Sequence, residues 1–384
     1  MRSPRLPQLG SKLRIIGVAL AAAMWVACAD SPQSPAGLQG PGLDAAVTGL
    51  DRALLAQELG PAIRAQERHT DELLDLAGVV GTAVGLNAGG RPAVKVYTTR
   101  EGVRGIPRNL DGIPVVVEVT GPIVALQEQE EQPRKKPDRC PPTCGEGGGG
   151  GEDPPTDPTS RFPRMVPIGV STGHPDITAG TIGARVTDGT NVYALSNNHV
   201  YAATNSASIG DAVIQPGTFD GGIDPASDPI DVIGNLAAFE PIAFGGINTI
   251  DAAIASTTTA LLGKATPSDG YGTPKSATVA DPAVGLRVRK YGRTTGQTNG
   301  RIDAINATVN VNYGSPGVAR FVNQIIIKPG NFSAGGDSGS LIVVQKGGDV
   351  NKPVGLLFAG GFGITVANPI DAILDAFGVT IDGD

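Results

Sequence analysis

Beyond Pro163 the chain is written in short β-rich runs separated by turn residues: Gly183 to Thr187, Val192 to Leu195, Val232 to Leu236, Leu286 to Tyr291, Gln324 to Lys328, Leu341 to Val344 and Val354 to Phe358. Repeated short strands with no helical period between them leave few solutions, chiefly an antiparallel barrel or sandwich. One segment departs from this texture. Pro369 to Phe377 places Ile370, Ile373, Leu374 and Phe377 on one helical face, with a proline near its first turn and Gly378 just past its end. A single helix is therefore expected to close an otherwise all-β region.

Upstream the periodicity is different. Between Asp44 and Ala77 apolar residues recur at intervals of three and four, which predicts two helices meeting near Gly60-Pro61. Val79 to Leu86, Ala93 to Tyr97 and Val115 to Val119 read as strands, so residues 44–124 are expected to form a small α+β N-terminal domain. Residues 125–163 are rich in proline and glycine and have too few apolar groups to offset the entropy of ordering, the composition of a disordered linker. Within it, Cys140 and Cys144 are candidates for a small local disulfide.

The amino terminus looks like an address. Arg2, Arg5, Lys12 and Arg14 precede an apolar run from Ile15 to Ala29, the charged-then-hydrophobic order of a secretory signal over residues 1–29. Cys28, in Trp25-Val26-Ala27-Cys28, also loosely resembles a lipidation site, which would attach the chain to a membrane. Plain secretion, lipidation and an uncleaved anchor all place the remaining residues outside the cytoplasm, either secreted, periplasmic or held at the cell envelope. With 30 basic against 37 acidic residues and a net charge of -7, the chain lacks the basic footprint a nucleic-acid partner requires. Three cysteines are too few for a closed zinc site. Asp220, Asp224, Asp228 and Asp231 lack calcium-loop spacing and read as a solvated loop, so neither a metal nor a cofactor is expected.

The chemistry concentrates in three places. Gly335-Gly336-Asp337-Ser338-Gly339-Ser340 lies between two predicted strands, where flanking glycines let the backbone approach a substrate and the N–H groups of Gly336 and Ser338 can face a developing oxyanion. A serine hydroxyl needs a base, and His199 follows a predicted strand through Ser196-Asn197-Asn198, whereas His69 and His174 read as surface residues. Asp251 is a carboxylate in the small apolar strand Thr249 to Ala255, and a charge buried there needs a partner such as an imidazole N–H.

At these residues the chain resembles the chymotrypsin-like (trypsin-like) serine peptidase family over residues 164–384. Asn197-Asn198-His199-Val200, Asp251-Ala252-Ala253-Ile254 and Gly336-Asp337-Ser338-Gly339-Ser340 follow that family's order of histidine, aspartate and serine. Tyr291-Gly292-Arg293-Thr294-Thr295-Gly296 resembles its bacterial, narrow-leaf-type branch. The resemblance implies two antiparallel β-barrels with the site between them, a C-terminal helix, and a catalytic triad of His199, Asp251 and Ser338 acting on a protein or peptide substrate. It also implies a substrate pocket near Phe332, Leu357, Phe358, Ala359 and Gly360, whose lack of acids favours an uncharged side chain before the cut bond. Two positions depart from the family. Phe358 stands where a serine commonly bonds the aspartate, and nothing supplies a new amino terminus to pair with Asp337. A catalytically weak or inactive peptidase-fold scaffold of the cell envelope, and an esterase of small molecules, remain the competing readings.

Overall fold

The computed structural model describes residues 49–126 and 156–384. The expected signal, Cys28, Cys140 and Cys144 lie outside these residues, as does most of the expected linker. Among the described residues no helix is long and apolar enough to cross a membrane.

Helix α1 spans Gly49–Leu74 and is followed by β1 (Val79–Leu86), β2 (Pro92–Thr98), β3 (Ile113–Val119) and β4 (Ile123–Ala125). The two expected helices are one. Pro61 lacks the N–H that would close the turn before it, yet the helix continues through it because Leu59, Ala62, Ala65 and Leu73 are buried along its length against strands β1 and β2.

A first β-unit contains β5 (Ala184–Thr187), β6 (Val192–Ser196), β7 (Ala212–Ile214), β8 (Val232–Phe239) and β9 (Ala253–Thr257). A second contains β10 (Arg287–Gly292), β11 (Gly296–Asn312), β12 (Val318–Lys328), β13 (Leu341–Val344), β14 (Pro353–Gly361) and β15 (Ile364–Pro369). The short helix α2 (Asn198–Tyr201) follows β6, while helix α3 (Ile370–Phe377) and β16 (Thr380–Ile381) close the chain. In the first unit the order is β7-β8-β9-β6-β5-β16. In the second, β11 pairs with both β10 and β12, so that β10, β11, β12, β15, β14 and β13 form a closed ring of six strands. Closure removes the unpaired edges that an open sheet would expose. Ile370, Ile373 and Leu374 of α3 join Leu195 and Ile254 of the first unit and Leu341 and Leu356 of the second in one buried cluster. The all-β architecture with its closing helix is therefore as the sequence led one to expect.

The N-terminal strands do not form a separate sheet. β1 lies antiparallel to β11, with Gly81 opposite Val309 and Gly85 opposite Ala304, and carries β2 and then β3 outward from it. Charge pairs reinforce the seam: Lys95 meets Asp303 at 2.5 Å and Glu118 at 3.0 Å, Lys328 meets Glu118 at 2.7 Å, and Arg320 meets Asp71 at 2.8 Å. The expected boundary at residue 124 falls inside β4, which lies between β11 and β14. The end of the expected linker is likewise folded. Arg161 bonds Asp231 at 2.6 Å and Phe162 packs against the core of the first unit, because these two residues supply the charge and the apolar surface that the preceding glycines lack.

Candidate active site

The register Ala253 opposite Ser196 brings the end of β6 beside the start of β9, so Asp251, two residues ahead of β9, meets His199 on α2. The contact is close. His199 Nδ1 lies 2.5 Å from Asp251 Oδ2, and the His199 backbone N–H donates to Oδ1 at 3.2 Å. Asn197 Nδ2 donates to the Asp251 carbonyl at 2.7 Å, and Asn368 Oδ1 accepts from the Asp251 N–H at 3.1 Å. The carboxylate thus has the partners its burial demands.

Sequence reasoning missed one of them. Tyr313, in the turn after β11, donates its hydroxyl to Asp251 Oδ2 at 2.7 Å. It supplies the hydrogen bond that Phe358, with no polar side-chain atom, cannot give. Burial, and then the charge of Asp251, push the Tyr313 phenol well above its ordinary range, so it stays a donor. Its ring stands edge-on to that of His199, 5.9 Å away, and continues through Phe321 to Phe358.

Ser338 sits on the loop before β13. Its carbonyl accepts the Thr181 N–H at 2.8 Å, and the Thr181 carbonyl accepts Ser196 Oγ at 2.8 Å, so one peptide ties the serine loop to the segment that leads into His199. Gly339, at φ 94°, has no room for a side chain, because a Cβ there would meet both Ser196 Oγ and the Thr181 carbonyl. Gly336, at φ 87°, turns its N–H outward from the loop.

The loop is anchored by Asp337. Its carboxylate accepts from the N–H groups of Thr294 (2.9 Å) and Ala334 (2.9 Å), from Thr295 Oγ1 (2.7 Å), and from Lys290 Nζ at 3.2 Å. Lys290 and Asp337 are both fully buried. Burial lowers the lysine pKa and Asp337 opposes that change. Lys290 therefore supplies the buried cation that pairs with Asp337.

Ser338, His199 and Asp251 are all completely shielded from solvent, and a segment of the chain itself is hydrogen-bonded to Phe358 and Gly336 near Ser338. Leu126, just after β4, donates its N–H to the Phe358 carbonyl at 3.1 Å and accepts the Gly336 N–H on its own carbonyl at 2.8 Å. Ser338 Oγ donates to the same Phe358 carbonyl at 3.2 Å. The Leu126 side chain packs against the cluster containing Phe332 and Leu357, and lies beside Gly360. The side chains of Phe358 and Ala359 belong to a different cluster, with Tyr313 and Phe321. Strand alternation explains the split, and Phe358 reaches Leu126 through its carbonyl alone.

The remaining candidates have other roles. His174 is buried and not on the surface, with Nε2 3.3 Å from Asp211 and Nδ1 accepting the Asp176 N–H. The acidic loop is not simply solvated either, for Asp220 pairs with Arg293 at 2.6 Å and with Ser171, and Asp231 is held by Arg161. Among the described residues no group of three or more His, Cys, Asp or Glu is placed to hold a metal ion.

No family model matches the chain. Solved structures that it resembles are chymotrypsin-like bacterial serine proteases. A glutamic acid specific serine protease, whose substrate binding is described as using a histidine triad, is 24% identical, with a TM-score of 0.40, and aligns over 56% of this chain and 100% of its own. Protease A of Thermobifida fusca is 20% identical, with a TM-score of 0.40, over 57% of this chain and 100% of its own. The Nocardiopsis protease is 18% identical, with a TM-score of 0.40, over 56% of this chain and 99% of its own.

Proposed function

We propose that the protein is an exported serine endopeptidase that hydrolyses peptide bonds through an acyl-enzyme. The observation that carries this reading is the placement of a peptide carbonyl, that of Leu126, on the Gly336 N–H beside Ser338, with the buried His199–Asp251 pair tied to the same loop through Thr181. Ser338 Oγ attacks the carbonyl carbon and His199 takes the hydroxyl proton. Asp251 fixes the imidazole tautomer and stabilises the imidazolium that forms. The Gly336 N–H holds the developing oxyanion, a donor contribution of about 3–4 kcal/mol in comparable sites. His199 then returns the proton to the leaving amine, and water releases the acyl group by the reverse sequence. Export follows from the charged and apolar order of residues 1–29. An inactive scaffold would have no need to keep the His199–Asp251 pair in a buried site, where its desolvation is costly.

The direct test is a fluorophosphonate probe, applied to the full chain after limited digestion with an unrelated protease has opened the cleft. Covalent labelling of Ser338 that vanishes in Ser338→Ala is expected. An unlabelled but folded protein overturns the reading.

Tyr313 enters as a positioning residue. Tyr313→Phe keeps the ring contacts and removes one charge-assisted hydrogen bond, worth about 1.5–3 kcal/mol. A fall of about 10-fold or more in kcat with little change in KM is expected. A kcat identical to wild type would assign Tyr313 to packing alone.

A further inference from the structure

We infer that Gln324 is a positioning residue for Asp251 and acts through the Asn368 amide; the inference rests on the peptidase reading and names the groups that hold its aspartate in place. Ile247 and Asn248 pair with Arg320 and Phe321 of β12, in the second unit, and Ala253 opens β9 in the first. Thr249, Ile250 and Asp251 lie between the two and belong to no strand. Backbone outside a ladder must find its hydrogen bonds elsewhere. Two side-chain amides supply them. Gln324 on β12 and Asn368 on β15 come together because Ile325 lies opposite Ala367 in that pair of strands, and both side chains are fully buried. Gln324 Nε2 donates to the Thr249 carbonyl at 2.9 Å and also to the Val322 carbonyl. Its Oε1 accepts from Asn368 Nδ2 at 2.7 Å, and Asn368 Oδ1 accepts the Asp251 N–H at 3.1 Å.

This chain of bonds has a direction. Carbonyls only accept, so those of Thr249 and Val322 oblige Gln324 to face them with its nitrogen. Its oxygen then faces Asn368, which must answer with its own nitrogen and keep its oxygen for the Asp251 N–H. A flip of either amide would set two donors or two acceptors against each other at a buried site, which is costly. Without Gln324, Asn368 loses what fixes its orientation, and the segment carrying Asp251 loses its tie at Thr249. At stake is the 2.5 Å contact of Asp251 Oδ2 with His199 Nδ1, on which the aim of the imidazole depends.

The test compares Gln324→Met, Asn368→Leu and their double variant with wild type and with Val186→Ala, which trims a buried apolar residue of β5 and should cost stability alone. Two quantities are followed on the folded full chain: the proton NMR signal of the hydrogen between His199 Nδ1 and Asp251, and peptide turnover after limited digestion has opened the cleft. The signal should be displaced in both amide variants and unchanged in Val186→Ala. Each amide variant should lose about 10- to 100-fold in kcat, with KM within about twofold of wild type. The double variant should fall well short of the product of the two losses, because the amides act in series. Should Gln324→Met give no folded chain, Gln324→Asn, one methylene too short to reach all three partners, takes its place. A variant at Gln324 with the wild-type signal or the wild-type kcat, or losses that multiply, overturns the inference. The proton signal needs no turnover, so a wild-type chain that fails to label with fluorophosphonate sinks the peptidase reading while the signal still decides whether Gln324 holds Asp251.

Discussion

Replacing His199 with alanine should lower kcat/KM for a peptide substrate by about 10^4- to 10^6-fold, and the double variant His199→Ala/Ser338→Ala should be little worse than either single one. The reason lies in how the site is built. The Ser338 hydroxyl donates to the Phe358 carbonyl, which can accept a hydrogen bond but cannot take the proton away, so the proposed mechanism rests on His199 as its base. With the imidazole gone the serine is a neutral alcohol, and removing it as well takes away nothing that was still working. Steady-state kinetics on the single and double variants measures the effect. Additive losses, with the double variant slower by the product of the two single factors, would mean that His199 and Ser338 do not act as a unit.

The second large effect concerns stability. Lys290→Met should destabilise the fold by about 3–5 kcal/mol, the usual consequence of removing one partner from a buried ion pair. Lys290 Nζ also donates to Thr295 Oγ1 and, at 3.1 Å, to the Gly296 carbonyl, so the turn after β10 loses its anchor together with Asp337. The paired change Lys290→Met/Asp337→Asn removes the orphaned charge and should recover part of the loss. Urea denaturation of the three proteins, compared at constant slope, gives the coupling directly. Because Gly336 precedes Asp337, the single variant should also lose turnover out of proportion to its loss of folded protein. A Lys290→Met chain as stable and as active as wild type would show that the backbone donors to Asp337 are sufficient without the cation.

Which parts of this were readable beforehand follows from whether the signal was local. The short strands and the closing helix declared themselves because alternation and helical period are properties of neighbouring residues. The order His199, Asp251, Ser338 was readable because each lies in its own short motif, and the structure brings the first two into contact. Tyr313 was not, since it lies in a turn beside Gly314 and its partner is Asp251, far away in sequence. Lys290 left a trace that could have been followed. It shares its strand face with Val288, and alternation alone places a cation on the buried side of β10. β4 is only three residues long and merges into a proline- and glycine-rich stretch, so its insertion beside β14 had no compositional mark. Pro61 misled for the opposite reason: its local rule is strong, but tertiary packing of α1 outweighed it.

The pairing of β1 with β11 has a temporal consequence. Gly81 and Val309 are distant in sequence, and bringing them together costs loop-closure entropy before any ladder bond offsets it. A ribosome delivers α1 and β1 to β3 long before β11 exists, so the early part of the chain waits with β1 lacking one neighbour. The strand that ends this wait is also the one that leads into Tyr313 and thus to Asp251. Completion of the N-terminal layer and delivery of the Tyr313 hydroxyl to Asp251 therefore both wait on β11. A nascent or truncated chain without that layer therefore lacks a neighbour for the strand that leads to the Tyr313–Asp251 hydrogen bond.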